Sequence, residues 1–322
     1  MHLIGTELSV AVSLLQAGKL VAIPTETVYG LAANALLPGA VAAIFEAKKR
    51  PAFDPLIIHT DSLEKAALWT GTWPPLAERL AARFWPGALT LLLPKKPIIP
   101  DLVTAGLPSV GVRIPSHPLT LKLLAMLDFP LAAPSANPFG YISPTQPAHV
   151  AAQLGTQVAY ILDGDACEVG IESTIIGFDT SGAPIVHRLG GIALEEIESF
   201  LGQKIAVQAH SSSNPQAPGM LLSHYAPRKP FVLGGGLEAL LEKYAPKEIG
   251  ALTFGNNWPQ LPEENQCNLS ADKNDREAAQ YIFAMMRQLD QMPVKVIYAE
   301  LLPAAGLGRA INDRLRRAAA QK

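Results

Sequence analysis

The distribution of apolar residues constrains this chain more than any other property. Stretches with a helical apolar period alternate with aliphatic runs too short to be helices. Such alternation selects a sheet covered by crossover helices, not a bundle or a sandwich. "TELSVAVSLLQAG" reads as a helix capped by Thr6 and stopped at Gly18, and "LVAIP" follows as a buried strand. The spacing predicts further helices in "PGAVAAIFEAKKR", "PPLAERLAARFWPG", "HPLTLKLLAML", "PAHVAAQLG" and "ALEEIESFLG". It predicts strands in "PLIIHT", "ALTLLLP", "VGVRIP", "PLAAPSAN", "VAYILDG", "ESTIIGF" and "PIVHRLG". Adjacent strands mixed with helical crossovers imply an α/β class with a twisted, mixed, open sheet.

The pattern breaks near 203–230, where "AVQAHSSSNPQAPG" has the composition of a linker. A second α/β pattern begins at "PFVLGG" and runs to the end of the chain, through the long helix "DREAAQYIFAMMRQLDQM" and the strand "VKVIYAEL". The expected organisation is a large domain over 1–202, a linker over 203–230 and a smaller α/β domain over 231–322. No internal repeat is visible.

At 322 residues, 49% hydrophobic and 17% charged, the chain has the material for a sizeable core. A net charge of −2 removes any general pull toward nucleic acid or an anionic membrane. Residues 1–202 hold 12 Lys/Arg against 17 Asp/Glu, and residues 203–322 hold 14 against 11. The late basic cluster "GRAINDRLRR" reads as a solvated helix face whose cations complement the helix dipole. Cys167 and Cys267 lack the spacing of a zinc site or a disulfide framework, which suits a reducing compartment. With no signal peptide and no membrane-length apolar run, a cytoplasmic location is expected.

Polar residues collect where the apolar runs end, in "PTETVYG", "IIHT", "VGVRIP", "APSAN" and "VHRLG". Open α/β sheets form ligand clefts at such strand ends. Arg113 and Arg188 each sit in an otherwise apolar strand and need an anionic partner or a wet cleft. A planar guanidinium suits carboxylate or phosphate. Lys48, Lys49 and Arg50 close a helix, and with Arg113, Arg188, Ser135 and Ser143 they make a nucleotide triphosphate the favoured ligand. There is no Walker A, GxGxxG, GxSxG or HExxH motif.

In order and spacing, "IPTETVYGLAANA", "EAKKRP…PLIIH", "WPGALTLLL", "VGVRIPSHP", "AAPSANPFGYISPT" and "GIESTII" resemble the Sua5/YrdC family of L-threonylcarbamoyladenylate synthases. "APGMLLSHYAPRKP" and the small domain after it resemble the longer Sua5 form, so the likeness covers nearly the whole chain. The resemblance implies a YrdC-like sheet domain followed by a Sua5 C-terminal domain. It implies condensation of L-threonine, bicarbonate and ATP, with Mg²⁺, into threonylcarbamoyl-AMP and pyrophosphate. A separate transferase complex then carries the group to adenosine 37 of tRNA, so a transient partner and weak tRNA contact are expected.

By motif position the resemblance places Thr27, His59, Arg113, Ala133 and Ser173 around threonine. It places Arg50, Asp54, Ser109, Ser135, Asn137, Ser143, Arg188 and Tyr225 around ATP, with Lys48 and Arg50 beside the phosphates as the catalytic cations. Asp54 stands where related sequences often carry Asn. Tyr225 implies that "SHYAP" closes over the site as a lid. The Mg²⁺ ligands and the role of Glu26 stay open. An alternative is a double-stranded-RNA-binding or ribosome-maturation protein using Lys48, Lys49 and Arg50 on a concave surface, against which the acidic balance of 1–202 argues. Another is a carbamoyl-adenylate enzyme like the related domains of hydrogenase maturation proteins, disfavoured because the zinc-finger and acylphosphatase parts are missing.

Overall fold

The structure is a computed structural model, and it describes residues 3–208 and 224–320. The segment 209–223, the centre of the expected linker, lies outside the described residues. The strands are β1 Ile4–Gly5, β2 Val21–Ile23, β3 Gly30–Asn34, β4 Ile57–His59, β5 Leu89–Pro94, β6 Ser109–Arg113, β7 Leu131–Ala132 and β8 Tyr160–Leu162. They continue with β9 Thr174–Phe178, β10 Pro184–Arg188, β11 Ala206–Val207, β12 Phe231–Leu233, β13 Ile249–Thr253, β14 Gln266–Asn268 and β15 Val296–Ala299.

Eleven strands form one sheet in the order β1-β8-β2-β3-β7-β4-β6-β5-β9-β10-β11. Parallel pairs such as β4 with β6 alternate with antiparallel pairs such as β5 with β6, which is the mixed sheet the pattern predicts. The last four strands form a second sheet, β12-β15-β13-β14, whose pairs are all parallel. β11 pairs with β10, so the large sheet continues past residue 202 into the stretch expected to be linker.

Side chains alternate across the strands, and the two faces of the large sheet receive different cover. Ala22, Leu31, Ile58, Val112 and Ile176 point to a core roofed by helices Pro38–Lys48, Pro75–Phe84, Pro147–Leu154 and Leu194–Leu201. On the opposite face, Val21, Ile23, Ala32, Leu131 and Tyr160 pack under helices Leu8–Gln16 and Pro118–Ala125. That second helical layer covers only the β8-β2-β3-β7 half. Over β4, β6, β5, β9 and β10 the same face carries only the small cluster of Ile57, Ile175 and Leu92. The missing half-layer makes the hollow.

Two local expectations differ from the fold. The first helix starts at Leu8 with Glu7 before it and no side-chain cap, so Thr6 does not cap it, although Gly18 ends it in the left-handed conformation. Within the C-terminal basic cluster, Arg314 and Arg317 are buried, not solvated. The amphipathic face of the helix Gly308–Ala319 therefore carries two guanidiniums inward.

The small domain docks on the large one through a shared apolar cluster that joins Val28, Ile142 and Ile171 to Ala279, Ile282, Phe283 and Met286 of the helix Asp275–Gln291. Gly170 sits on this seam at φ +75°, and a Cβ there would strike the backbone of Ala279 and Gln280. Arg287 crosses the seam to the carbonyl oxygens of Ser143, at 3.2 Å, and Ile142. No described helix is long and apolar enough to cross a membrane.

Candidate active site

The knot after β2 is a turn built by its own hydroxyls. The backbone amides of Thr27 and Val28 each donate to Thr25 Oγ1 at 3.1 Å, and Thr25 Oγ1 donates to Val28 O at 2.6 Å. This turn fixes Thr27 Oγ1, which accepts from Arg113 Nη1 at 2.8 Å. The Glu26 carboxylate lies 2.7 Å from Arg113 Nη2 and accepts from Ser116 N at 3.1 Å. Glu26, whose role spacing left open, is the counter-charge that sets the guanidinium.

Across the sheet the register aligns the remaining groups. His59 faces Arg113 on β4 and β6, Leu91 faces Val112, Thr90 faces Ile175, and Ile175 faces Arg188. The row therefore runs His59, Arg113, Thr90, Ile175, Arg188 over five strands. Simple alternation would turn Arg188 toward the covered face, because Val186 already points into that core. A bulge at His187 inserts one residue between Val186 and Arg188 and returns Arg188 to the open face. Gly177 makes room for the bulge, since a Cβ there would come within 2.6 Å of His187 Nε2.

Ser173 bridges the row. Its Oγ lies 2.8 Å from Thr90 Oγ1 and accepts from Arg188 Nη2 at 3.1 Å, while its carbonyl accepts from Arg188 Nε at 3.0 Å. Thr27, Val28, Arg50, Ile57, His59, Arg113, Ala133, Ser135, Ser173, Arg188 and Tyr225 line one hollow with Pro134, Glu172 and His224. The free volume enclosed is about 50 Å³. Burial, with Arg113 alongside, drives the pKa of His59 down to about 3, so the ring is neutral near pH 7 and can accept a proton-bearing group.

Other expected residues stand behind the lining. Lys48 is fully buried and donates to Ser135 O at 2.5 Å and Asn137 O at 2.6 Å, bracing the loop after β7. Burial and then the nearby Arg50 push its ammonium pKa well below the usual value. Asn137 donates to Pro138 O and Tyr141 O, both at 2.8 Å. Ser143 donates to Glu172 Oε1 at 2.5 Å. Asp54, expected at the nucleotide, is buried and 2.9 Å from Arg50 Nη2, where it serves as that cation's counter-charge. Ser109 begins β6 on the same face as Arg113, four residues away, which is about 13 Å along a strand. It lines a separate cavity with Trp73, Gly177 and His187, so the structure does not bring it together with the rest.

Glu172 and His224 belong to the lining and were not singled out from the sequence. Glu172 is inside the "GIESTII" motif, but nothing in its spacing distinguishes it from a surface acid. The ring of His224 sits 4.2 Å from that of Tyr225, and Tyr225 stacks on Phe283 at 5.4 Å. Among the described residues no group of three or more His, Cys, Asp or Glu could hold a metal ion. Of the three adjacent cations Lys48, Lys49 and Arg50, only Lys49 is exposed, which removes the concave basic surface that RNA binding would use.

Comparison with known proteins shows the family and the fold. The Sua5_yciO_yrdC family model, described as telomere recombination, matches residues 13–190. The Sua5_C model, described as the C-terminal domain of threonylcarbamoyl-AMP synthase, matches residues 192–320. The threonylcarbamoyl-AMP synthase of Pyrococcus abyssi is 41% identical, covering 97% of this chain and 94% of its own. That of Bacillus subtilis is 40% identical, covering 97% and 93%. The crystal structure of P. abyssi Sua5 complexed with L-threonine superposes with a TM-score of 0.88 at 38% identity, covering 98% of this chain and 97% of that one. The chain belongs to the Sua5/YrdC family, in the long form that carries the Sua5 C-terminal domain.

Proposed function

We propose that this chain joins L-threonine, bicarbonate and ATP into threonylcarbamoyl-AMP and pyrophosphate, acting as a nucleotidyltransferase that supplies a tRNA-modifying transferase. One observation carries the reading: Arg113 and Arg188 share a single hollow, with Ser173 bonded to one of them and a hydroxyl turn bonded to the other. Two fixed guanidiniums lining one hollow suit a substrate pair in which each member carries an anionic group.

In this reading Arg113 takes the threonine carboxylate, held in place by Glu26 and Thr27. Thr27, neutral His59 and Ser173 receive the amine and the hydroxyl, and the backbone of Ala133 adds a polar contact. The threonine ammonium gives up two protons in all as its nitrogen bonds to the carbon of CO₂. One proton converts the hydroxide left by bicarbonate into water and the other passes to solvent. A carbamate oxygen then bonds to the α-phosphorus while the bond from that phosphorus to the bridging oxygen breaks, and pyrophosphate leaves. Such an in-line transfer depends on positioning and charge neutralisation. Arg50, Arg188 and Ser135 supply the phosphate side, and Lys48 fixes the loop that carries Ser135.

Mg²⁺ enters as part of the ATP substrate. Glu26, Asp54 and Glu172 each already face a guanidinium, so triphosphate oxygens are its natural ligands. The free volume is below the roughly 300 Å³ at which ligand pockets usually begin. In this reading the His224–Tyr225 segment moves aside to admit ATP, and its return excludes water from a hydrolysable adenylate. Mass spectrometry of products from ATP, bicarbonate and isotopically labelled threonine tests the proposal. Label in a threonylcarbamoyl-AMP peak is expected, and AMP or ADP formation indifferent to threonine would reject it.

A further inference from the structure

We propose that the buried ion pair between Glu172 and Arg314 is the element through which the small domain sets the geometry of the hollow, with Arg314 a positioning residue that touches no substrate. The inference rests on the functional reading above and concerns how that site is held in its working shape.

Arg314 belongs to the helix Gly308–Ala319, the last element of the small domain, and its side chain is fully buried. Its Nε and Nη2 donate to Glu172 Oε2 at 3.1 and 3.0 Å, a two-pronged grip on one carboxylate oxygen. Its Nη1 donates to Leu189 O at 2.5 Å, and its guanidinium lies 5.4 Å from the centre of the Tyr225 ring. Glu172 directly precedes Ser173, and Leu189 directly follows Arg188. One guanidinium thus fixes the start of β9, the end of β10 and the ring that closes the hollow. The other carboxylate oxygen of Glu172 holds Ser143, which extends the same brace to the loop after β7.

The arrangement explains why a charged pair occupies the seam. An apolar pair of equal volume would dock the domains as well or better. It would not fix the direction of three separate backbone segments, because only directed donors do that. A second pair joins the same helix to the large domain: Arg309 Nη2 lies 3.1 Å from Glu195 Oε1, with side chains 43% and 42% exposed. Such an exposed pair contributes little, and it provides an internal control.

The test uses the full chain and compares Glu172→Gln, Arg314→Lys, their double variant and Arg309→Ala, following threonylcarbamoyl-AMP formation and thermal melting. Misplacement of about 1 Å at reacting groups costs on the order of 10²-fold. A comparable fall in kcat/KM is expected in Glu172→Gln and Arg314→Lys, with KM raised for both threonine and ATP. The double variant should be no worse than the weaker single, since both members act through one contact. Arg309→Ala should match the unaltered protein. Folded single variants with unaltered KM values, or losses that add in the double variant, would overturn the proposal. A variant that melts near the assay temperature is assayed well below its midpoint, and recovery of unaltered KM values there would assign the pair to stability alone and likewise overturn it. If the unaltered protein made no threonylcarbamoyl-AMP, the functional reading itself would fail, whatever the variants did.

Discussion

Glu26 and Arg113 form an ion pair at 2.7 Å at the wall of the hollow, with side chains 7% and 5% exposed. The carboxylate comes from the turn after β2 and the guanidinium from the end of β6, so the pair ties two remote stretches together. It also separates the two arginines by role: Arg113 is anchored by Glu26 and Thr27, and Arg188 by Ser173.

That separation predicts a split in the kinetics. Arg113→Ala should raise the KM for threonine by about 10²-fold or more and that for ATP far less, a bidentate charged contact contributing roughly 3 kcal/mol. Arg188→Ala should do the reverse. Steady-state kinetics with each substrate varied in turn checks this, and equal effects on both substrates from both variants would reject the division. Arg113→Ala should also lower the melting temperature, because it leaves Glu26 buried without its partner.

Tyr225 lies at φ +64°, a conformation that costs a non-glycine residue of order 1 kcal/mol, and is held there by its stack on Phe283. The ring, more than the hydroxyl, makes these contacts. Tyr225→Phe should therefore keep near-normal synthesis, while Tyr225→Ala should reduce it roughly tenfold or more and release hydrolysed AMP. Equal activity of the two variants would argue against a closing role for the ring.

Acid should destabilise the fold through its buried imidazoles. Burial, joined by Arg113 for His59 and by Arg287 for His149, depresses the pKa of His59 to about 3 and that of His149 to about 4, against 6.5 for an exposed ring. Between those values and 6.5 the unfolded chain binds protons that the folded chain refuses, so stability rises with pH over that window and levels off above it. One such group contributes at most about 1.4 kcal/mol per pH unit. Replacing His59 by Gln should flatten the curve of melting temperature against pH from about 3 to 6.5. An unchanged slope would mean that His59 is protonated in the fold.

Gly170 should act as a test of domain docking. Gly170→Ala forces a Cβ into the backbone of the helix Asp275–Gln291 at a residue with φ +75°. The expected result is a lower melting temperature, by several degrees, together with lost synthesis as the seam opens. Calorimetry and product assay together check it, and a variant unaltered in both would mean the seam is looser than the structure shows.

Much of the fold was legible from apolar spacing. Strands such as β5, β6 and β13 are aliphatic runs with clear ends, and the helices around them carry plain periodicity. β3 escaped because "GLAAN" consists of small residues without the β-branching that marks a strand. β11 and β14 are two- and three-residue strands defined by their neighbours, not by composition. Arg113 and Arg188 stood out as charges in otherwise apolar strands, while Thr27, His59 and Ser173 were reached through the family resemblance and not from their own surroundings. The motifs did not separate residues that line the hollow from those behind it. Lys48, Asp54, Asn137 and Ser143 carry the same chemistry as the lining, and only packing shows that they brace it.

The sequence by itself determined the α/β class, the two-part organisation and the identity of the polar strand ends, because periodicity and composition are local and survive without a fold. Tertiary structure alone decided which charges meet: Glu26 with Arg113, Asp54 with Arg50, Glu172 with Arg314. It also decided the bulge that turns Arg188 to the open face. Each of these depends on register and on close approach between segments far apart in the chain, and Coulomb and hydrogen-bond energies fall so steeply with distance that no spacing along the sequence encodes them.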